Sequence, residues 1–253
     1  MKIFTVILLF LSLQLHARQI DSLKRIDSIS VIPSPQKIKS YIVPSVFITY
    51  GIISLGNNPI RNLDLSTKAE LTEDHPLFAA HVDDYSKFVP LLAMYGLDLA
   101  GVKAKSSVLD QTAMVVITSV ISTVVVTDLK KWTHRLRPNG SSYSSFPSGH
   151  TATAFAAAEM LNQEFRDNSP WIGYAGYAVA TATGVLRMYN NMHWVSDVVA
   201  GAGFGILSTK LTYLIYPKLK KLLGITQREF NISPSYQNHQ LGYKLVYKFK
   251  SNH

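Results

Sequence analysis

The chain has no cysteine among its 253 residues, and only 16 % of them are charged. The first absence excludes disulfides, thiol nucleophiles and cysteine-ligated zinc. The second falls below the roughly 25 % of charged residues found in soluble domains and moves the chain toward a membrane protein. Acidic residues are also scarce, with 16 Asp and Glu against 25 Lys and Arg, leaving a net charge of +9. Nucleic acid is one partner for such a charge. Here, however, the cations gather at the ends of apolar stretches and in the tail, which suits an anionic lipid surface better than nucleic acid. No nucleotide-binding loop and no cluster of metal-ligand residues stands out, so neither a metal nor another cofactor is expected. What is abundant is apolar: hydrophobic residues make up 47 %.

The length suits one domain, preceded and followed by shorter segments. Residues 1–17 read as a signal peptide or an uncleaved anchor: Lys2 opens an apolar run from Ile3 to Leu15, followed by Leu15-His16-Ala17. Residues 18–84 read as a linker with one short apolar helix over Tyr41 to Leu55. That helix contains Pro44 and is short for a bilayer at about 1.5 Å per residue, so it is expected not to cross fully. Residues 85–221 are expected to form a helical core, with helices over Tyr85–Val102, Val108–Leu129, Thr151–Phe165, Trp171–Met188 and His193–Tyr216. Gly201 and Gly205 have the spacing that lets membrane helices approach closely. Trp132, Trp171 and Trp194 fall near helix ends, as interfacial tryptophans do. Residues 222–253 form a tail in which Leu241, Tyr243, Leu245, Tyr247 and Phe249 alternate with other residues. Period two predicts a strand, able to pair with Phe230–Tyr236 as a hairpin. The expected fold class is therefore all-α, a membrane-embedded helical bundle with a small C-terminal β-hairpin.

Three polar clusters stand at the ends of apolar stretches. They are Lys130 with Arg137 and Pro138; Pro147-Ser148-Gly149-His150; and Arg187 with His193 and Asp197. Phosphoryl transfer needs charge neutralisation, an in-line nucleophile and a proton for the leaving oxygen. Lys130, Arg137 and Arg187 can supply the first, because a guanidinium matches phosphate bidentately. Ser148 and Gly149 precede an alanine-rich helix, whose N-terminus is an anion site; Ser148 also reads as its N-cap. His193 and Asp197 are four residues apart and so are expected to share a helical face, where a carboxylate can hold one ring nitrogen and leave the other free. Lys131 and Arg135 read as interfacial anchors, Asp128 as a helix-end cap partner, and Glu159 as structural. His16, His75 and His81 read as ordinary histidines outside the site.

In order, spacing and residue type the three clusters resemble the signature motifs of the type-2 phosphatidic acid phosphatase superfamily, over roughly Tyr85 to Tyr216. One departure is Leu186, where the family often has serine. The resemblance implies His193 as a nucleophile forming a phosphohistidine, oriented by Asp197. It implies His150 as general acid and base, and phosphate held by Lys130, Arg137, Ser148, Gly149 and Arg187. The expected activity is metal-independent hydrolysis of a phosphomonoester on an envelope lipid, with lipid A favoured. Phosphatidylglycerophosphate or undecaprenyl diphosphate are alternative substrates. A soluble secreted acid phosphatase of class A type and a non-enzymatic binding or transport module are alternative functions. Lys103, Lys105, Lys218, Lys220 and Lys221 fall at one end of the bundle, which the positive-inside rule places in the cytoplasm. That puts the protein in the inner membrane with its site facing the periplasm.

Overall fold

The computed structural model describes residues 39–223, and as backbone the segments 229–237 and 240–248. The predicted signal and most of the linker lie outside the described residues. The elements are α1 (Ile42–Ile53), α2 (Pro59–Asp74), α3 (Asp83–Ser86), α4 (Val89–Leu99), α5 (Val108–Thr133), α6 (Gly149–Phe165), α7 (Pro170–Tyr189) and α8 (Val195–Leu222), then β1 (Glu229–Gln237) and β2 (Gln240–Lys248). The strands pair antiparallel, with Glu229 opposite Lys248 and Gln237 opposite Gln240, which is the hairpin expected of the tail.

Local chemistry sets the helix starts. Asn58 accepts from the backbone N–H groups of Ile60 and Arg61 ahead of Pro59, which combines an N-cap with a proline at N1. Ser107 caps α5 by accepting from Asp110 N–H, and α5 ends where His134 turns left-handed at φ 43°. The expected helix over Tyr85–Val102 is in fact two, α3 and α4. Pro90 has no N–H to give the Ser86 carbonyl, so a helix running on through it would lose that bond, whereas its fixed φ suits a first turn. At the other extreme α8 runs past Tyr216, through Pro217, to Leu222. The bond lost at Pro217 is offset by Tyr216 and Lys220, which both bind Asp110 of α5 at 2.6 and 2.7 Å.

The four longest helices alternate in direction, so α5 and α7 end where α6 and α8 begin. Small residues let them close up. A Cβ on Gly201 of α8 would lie 2.6 Å from the Ser148 carbonyl oxygen, and one on Gly205 would overlap the Ala152 carbonyl. Only hydrogen fits there, so α8 crosses α6 backbone to backbone. The expected role of this glycine pair is met, and it carries the start of α6 with it. Buried Glu159 ties three helices together by accepting from Gln163 and Lys210, each at 2.7 Å, and from Tyr177.

Among the described residues two helices, α5 and α8, are long and apolar enough to cross a membrane. They differ in how much protein covers them: 22 % of the apolar stretch of α5 is buried inside the protein, against 50 % for α8. Val116, Val120 and Val124 of α5 and Leu92 of α4 stay exposed. A continuous apolar surface of this kind belongs against lipid rather than water. The bundle is of the membrane-embedded kind. α1, at 12 residues, is about 18 Å long and lies against α8, where a Cβ on Gly203 would sit 2.7 Å from the Pro44 carbonyl oxygen.

Candidate active site

The end of the bundle where α5 and α7 finish gathers all three polar clusters. Lys130 is in the last turn of α5, and its Nζ donates to the Ser144 carbonyl of the following loop. Arg137 lies in that loop, where its N–H donates to the Ser142 carbonyl and Nη1 reaches Met192 Sδ at 3.5 Å. Ser148 caps α6 from a fully buried position. Its Oγ is 2.9 Å from Thr151 Oγ1, and its N–H donates to the Asp197 carbonyl at 3.0 Å. Gly149 opens the helix, and His150 follows, half-buried. Arg187 is in the last turn of α7, and its carbonyl accepts from the N–H groups of Met192 and His193. That turn brings His193 back beside Arg187.

Asp197 and His193 do meet, with Oδ2 3.6 Å from Nδ1. The reason differs from the one the spacing suggested. His193 precedes α8, which begins at Val195, so the two do not share a helical face. Asp197 instead turns back over the helix start, accepting from Trp194 N–H at 3.0 Å and from Ser145 Oγ. Its other oxygen takes Arg135 Nη1 at 2.7 Å. Arg135 is no interfacial anchor. It is nearly buried and bridges two carboxylates, holding Asp64 Oδ2 with Nη2 at 2.6 Å. Asp64 also receives Ser196 N–H at 2.9 Å. The loop after α5 folds inward rather than out to the interface, so a cation at a helix end became a core group. Lys131, by contrast, stays exposed, 3.8 Å from Asp128.

His193 is 3 % exposed. Burial dominates its acidity and pulls the imidazole down to about 4, against the raising pull of Asp197. Its ring is therefore neutral at ordinary pH. Nδ1 faces Asp197, which leaves Nε2 as the nitrogen available for attack. Around it the cations crowd: burial first, and then the Arg187 guanidinium, hold the pKa of Arg137 below its usual value. Arg137 Nε and Arg187 Nε are both buried without a hydrogen-bond partner. A buried donor left unpaired is costly. Two such guanidinium donors with mutually repelling charges are what a multiply charged oxyanion could satisfy.

A second acidic layer comes from residues that sequence reading assigned to the linker. Asp83 binds Arg187 Nη1 and accepts from Asn190 Nδ2 at 3.1 Å. Asp84 Oδ1 is 2.7 Å from His150 Nε2, and Lys87 Nζ is 3.1 Å from the same nitrogen. Asp84 is held below the usual carboxylate range, chiefly by the hydrogen bond from His150. Asp83, Asp84 and His150 are close enough to share a metal ion. They fit one poorly, because Arg187 and Lys87 already bring positive charge to the same atoms. The boundary expected at residue 84 thus cuts through α3 and separates both aspartates from the core they serve. An acidic pair next to a cationic cluster was the available signal, but nothing in the sequence brings positions about a hundred residues apart together.

Residues 112–221 match the family model described as the PAP2 superfamily. That stretch contains every motif residue from Lys130 to Asp197. Over 144 residues it is 40 % identical to a lipid A 1-phosphatase of Porphyromonas gingivalis, which covers 54 % of this chain and 31 % of that protein. Over 106 residues it is 29 % identical to phosphatidylglycerophosphatase B of Bacillus subtilis, covering 37 % of this chain and 52 % of that protein. The chain thus spans less than a third of the Porphyromonas relative, where 31 % is matched. Among solved structures, a transmembrane PAP2 type phosphatidylglycerolphosphate phosphatase from Bacillus subtilis superposes with a TM-score of 0.49 at 18 % identity, over 71 % of this chain and 98 % of that one. Asp64, Asp83 and Asp84 lie outside the matched residues.

Proposed function

We propose that the protein hydrolyses the phosphomonoester of an envelope lipid, lipid A in the first instance, through a phosphohistidine on His193. The observation that carries this reading is the groove leaving His150 between α5 and α6. Its first part, of about 220 Å³, is lined by Gly149, His150, Val126 and Thr153. Its second, of about 270 Å³, is lined by Phe88, Leu91, Val115 and Met160. Lys87, Ser122, Thr123 and Thr153 line both. A phosphate held at Arg137 and Arg187 would have its leaving oxygen near His150, with the lipid chain running along the membrane-length helix α5. Binding energy from that chain can then be used at the reacting phosphorus.

In the first half-reaction His193 Nε2 attacks phosphorus while the bond to the leaving oxygen breaks, and His150 gives that oxygen a proton. In the second, water attacks the phosphohistidine and gives a proton to His150. Inorganic phosphate leaves and both histidines are restored. Lys130, Arg137, Arg187, the Ser148 hydroxyl and the Gly149 N–H hold the phosphate oxygens. Asp197 orients His193. The lysines at the far end of the bundle support a site facing the periplasm.

The test is phosphate release by the purified protein in mixed micelles containing EDTA. A lipid A phosphate, phosphatidylglycerophosphate, undecaprenyl diphosphate and a small soluble phosphomonoester are compared by kcat/KM. Lipid A is expected to lead and the soluble ester to trail. A leading soluble ester would favour a secreted acid phosphatase, and a magnesium requirement would overturn the charge-only site.

A further inference from the structure

His193 and His150 each face a carboxylate, but on opposite ring nitrogens. Asp197 stands at Nδ1 of His193. Asp84 Oδ1 stands 2.7 Å from Nε2 of His150. An ionised carboxylate can only accept, so the imidazole nitrogen it touches carries the hydrogen. Lys87 Nζ, 3.1 Å from the same nitrogen, can only donate, and so favours the opposite tautomer. Asp84 is the nearer of the two, and a charge-assisted bond at its distance is the stronger one.

We infer that Asp84 is a positioning residue that keeps His150 in its Nε2–H form, making Nδ1 the atom that delivers and recovers the catalytic proton. This rests on His150 acting as the acid–base group of the proposed reaction. In the first half-reaction the proton on Nδ1 moves to the leaving oxygen as the phosphorus–oxygen bond breaks and the phosphorus–Nε2 bond of His193 forms. The His150 ring is then neutral, still with hydrogen on Nε2 and a free lone pair on Nδ1. In the second half-reaction that lone pair takes a proton from the attacking water as the phosphorus–nitrogen bond breaks. The imidazolium that results keeps Asp84 as its counter-charge. Without the carboxylate the imidazolium loses its counter-charge, so less of it stands ready to protonate the leaving oxygen; the neutral ring is also free to place its hydrogen on Nδ1, accepting from Lys87 at Nε2, and that form cannot take the proton from water.

Asp84→Asn preserves size but can either donate to Nε2 or accept from it, so both tautomers become available. The expected loss in kcat/KM on an alkyl lipid phosphate is on the order of 10- to 100-fold. For p-nitrophenyl phosphate, whose leaving group departs without a proton, the change in kcat/KM, which ends at phosphohistidine formation, is expected to stay within about threefold, because the contribution of a general acid vanishes there. Asp84→Glu, which keeps the carboxylate, should recover part of the loss on the lipid. Equal losses on both substrates, no loss, or a gain would each overturn the inference; a gain would mean that Asp84 obstructs the site. A second readout does not depend on turnover. Ring 15N shifts of His150, assigned by their disappearance in His150→Gln, should report Nε2–H in the wild-type protein and a mixture in Asp84→Asn. A neutral wild-type ring carrying its hydrogen on Nδ1 overturns the inference. A protein that hydrolyses no phosphomonoester overturns the proposed function instead, and the ring shifts still decide on Asp84.

Discussion

The two histidines of the site live in opposite surroundings. His193 is closed off, and its carboxylate partner Asp197 is itself 0 % exposed and pinned by Arg135, Ser145 and a backbone N–H. His150 has a side chain 25 % exposed, and its partner Asp84 is 47 % exposed. Behind Asp197 stands a second buried carboxylate, Asp64, shared through Arg135; beside Asp84 there is exposed His81, 3.9 Å away. The contrast suits the two different duties proposed for them. A nucleophile has to be neutral, dry and fixed in direction. A group that trades protons with a leaving alcohol and then with water needs contact with solvent and a partner that can tolerate its changing charge. Burial supplies the first condition and lowers the His193 value to about 4, while a groove open at one end supplies the second.

The sharpest way to break this contrast is at the closed half. His193→Ala should leave the fold in place and reduce turnover on the order of 10⁴- to 10⁶-fold, as removal of a nucleophile does elsewhere. Near-normal turnover would assign the attack to another group. The support behind it comes next. Arg135→Ala leaves two buried carboxylates facing each other, and breaking such a pair costs about 3–5 kcal/mol. A thermal melt in detergent should show a clear drop in midpoint, together with reduced activity from a loosened Asp197. An unchanged midpoint would mean that the network contributes nothing to stability.

Acidity separates the halves by a smaller amount. The folded His193 value lies below the unfolded value of about 6.5. The folded protein therefore binds fewer protons than the unfolded chain between pH 6.5 and 4, and stability falls as pH is lowered through that window. The loss attributable to His193 should be on the order of a few kcal/mol, measured as denaturation midpoint against pH. His193→Ala should flatten that slope, and an equal slope in the variant would place the titration elsewhere. The smallest effect is expected at Lys131, four residues before Arg135. Lys131→Ala removes an exposed cation from an exposed pair at 3.8 Å and should change the melt by less than about 1 kcal/mol. A larger effect would erase the distinction drawn between the two cations.

The helices, the hairpin and the three motifs were readable because each depends on residues close in sequence. Apolar runs give helices, alternation gives a strand, and a serine before a glycine opens α6. The glycine pair at 201 and 205 was readable for the same reason, since its spacing matches one helical face. The spacing of His193 and Asp197 named the right partners through the wrong local structure, since a chain reversing into a helix N-terminus also brings residues four apart together.

Sequence alone therefore determined the class of fold, the three polar clusters and the pairing of His193 with Asp197. Tertiary structure decided which charges serve the site from afar: Arg135 rather than Lys131, and Asp64, Asp83 and Asp84 from a segment that reads as a linker. The physical reason is that the role of a charge depends on its burial and on the charge it faces. Asp64 meets Arg135 across 71 positions and Asp83 meets Arg187 across 104. No local pattern encodes such a meeting; only the packing of α2 and α3 onto the ends of α7 and α8 brings it about.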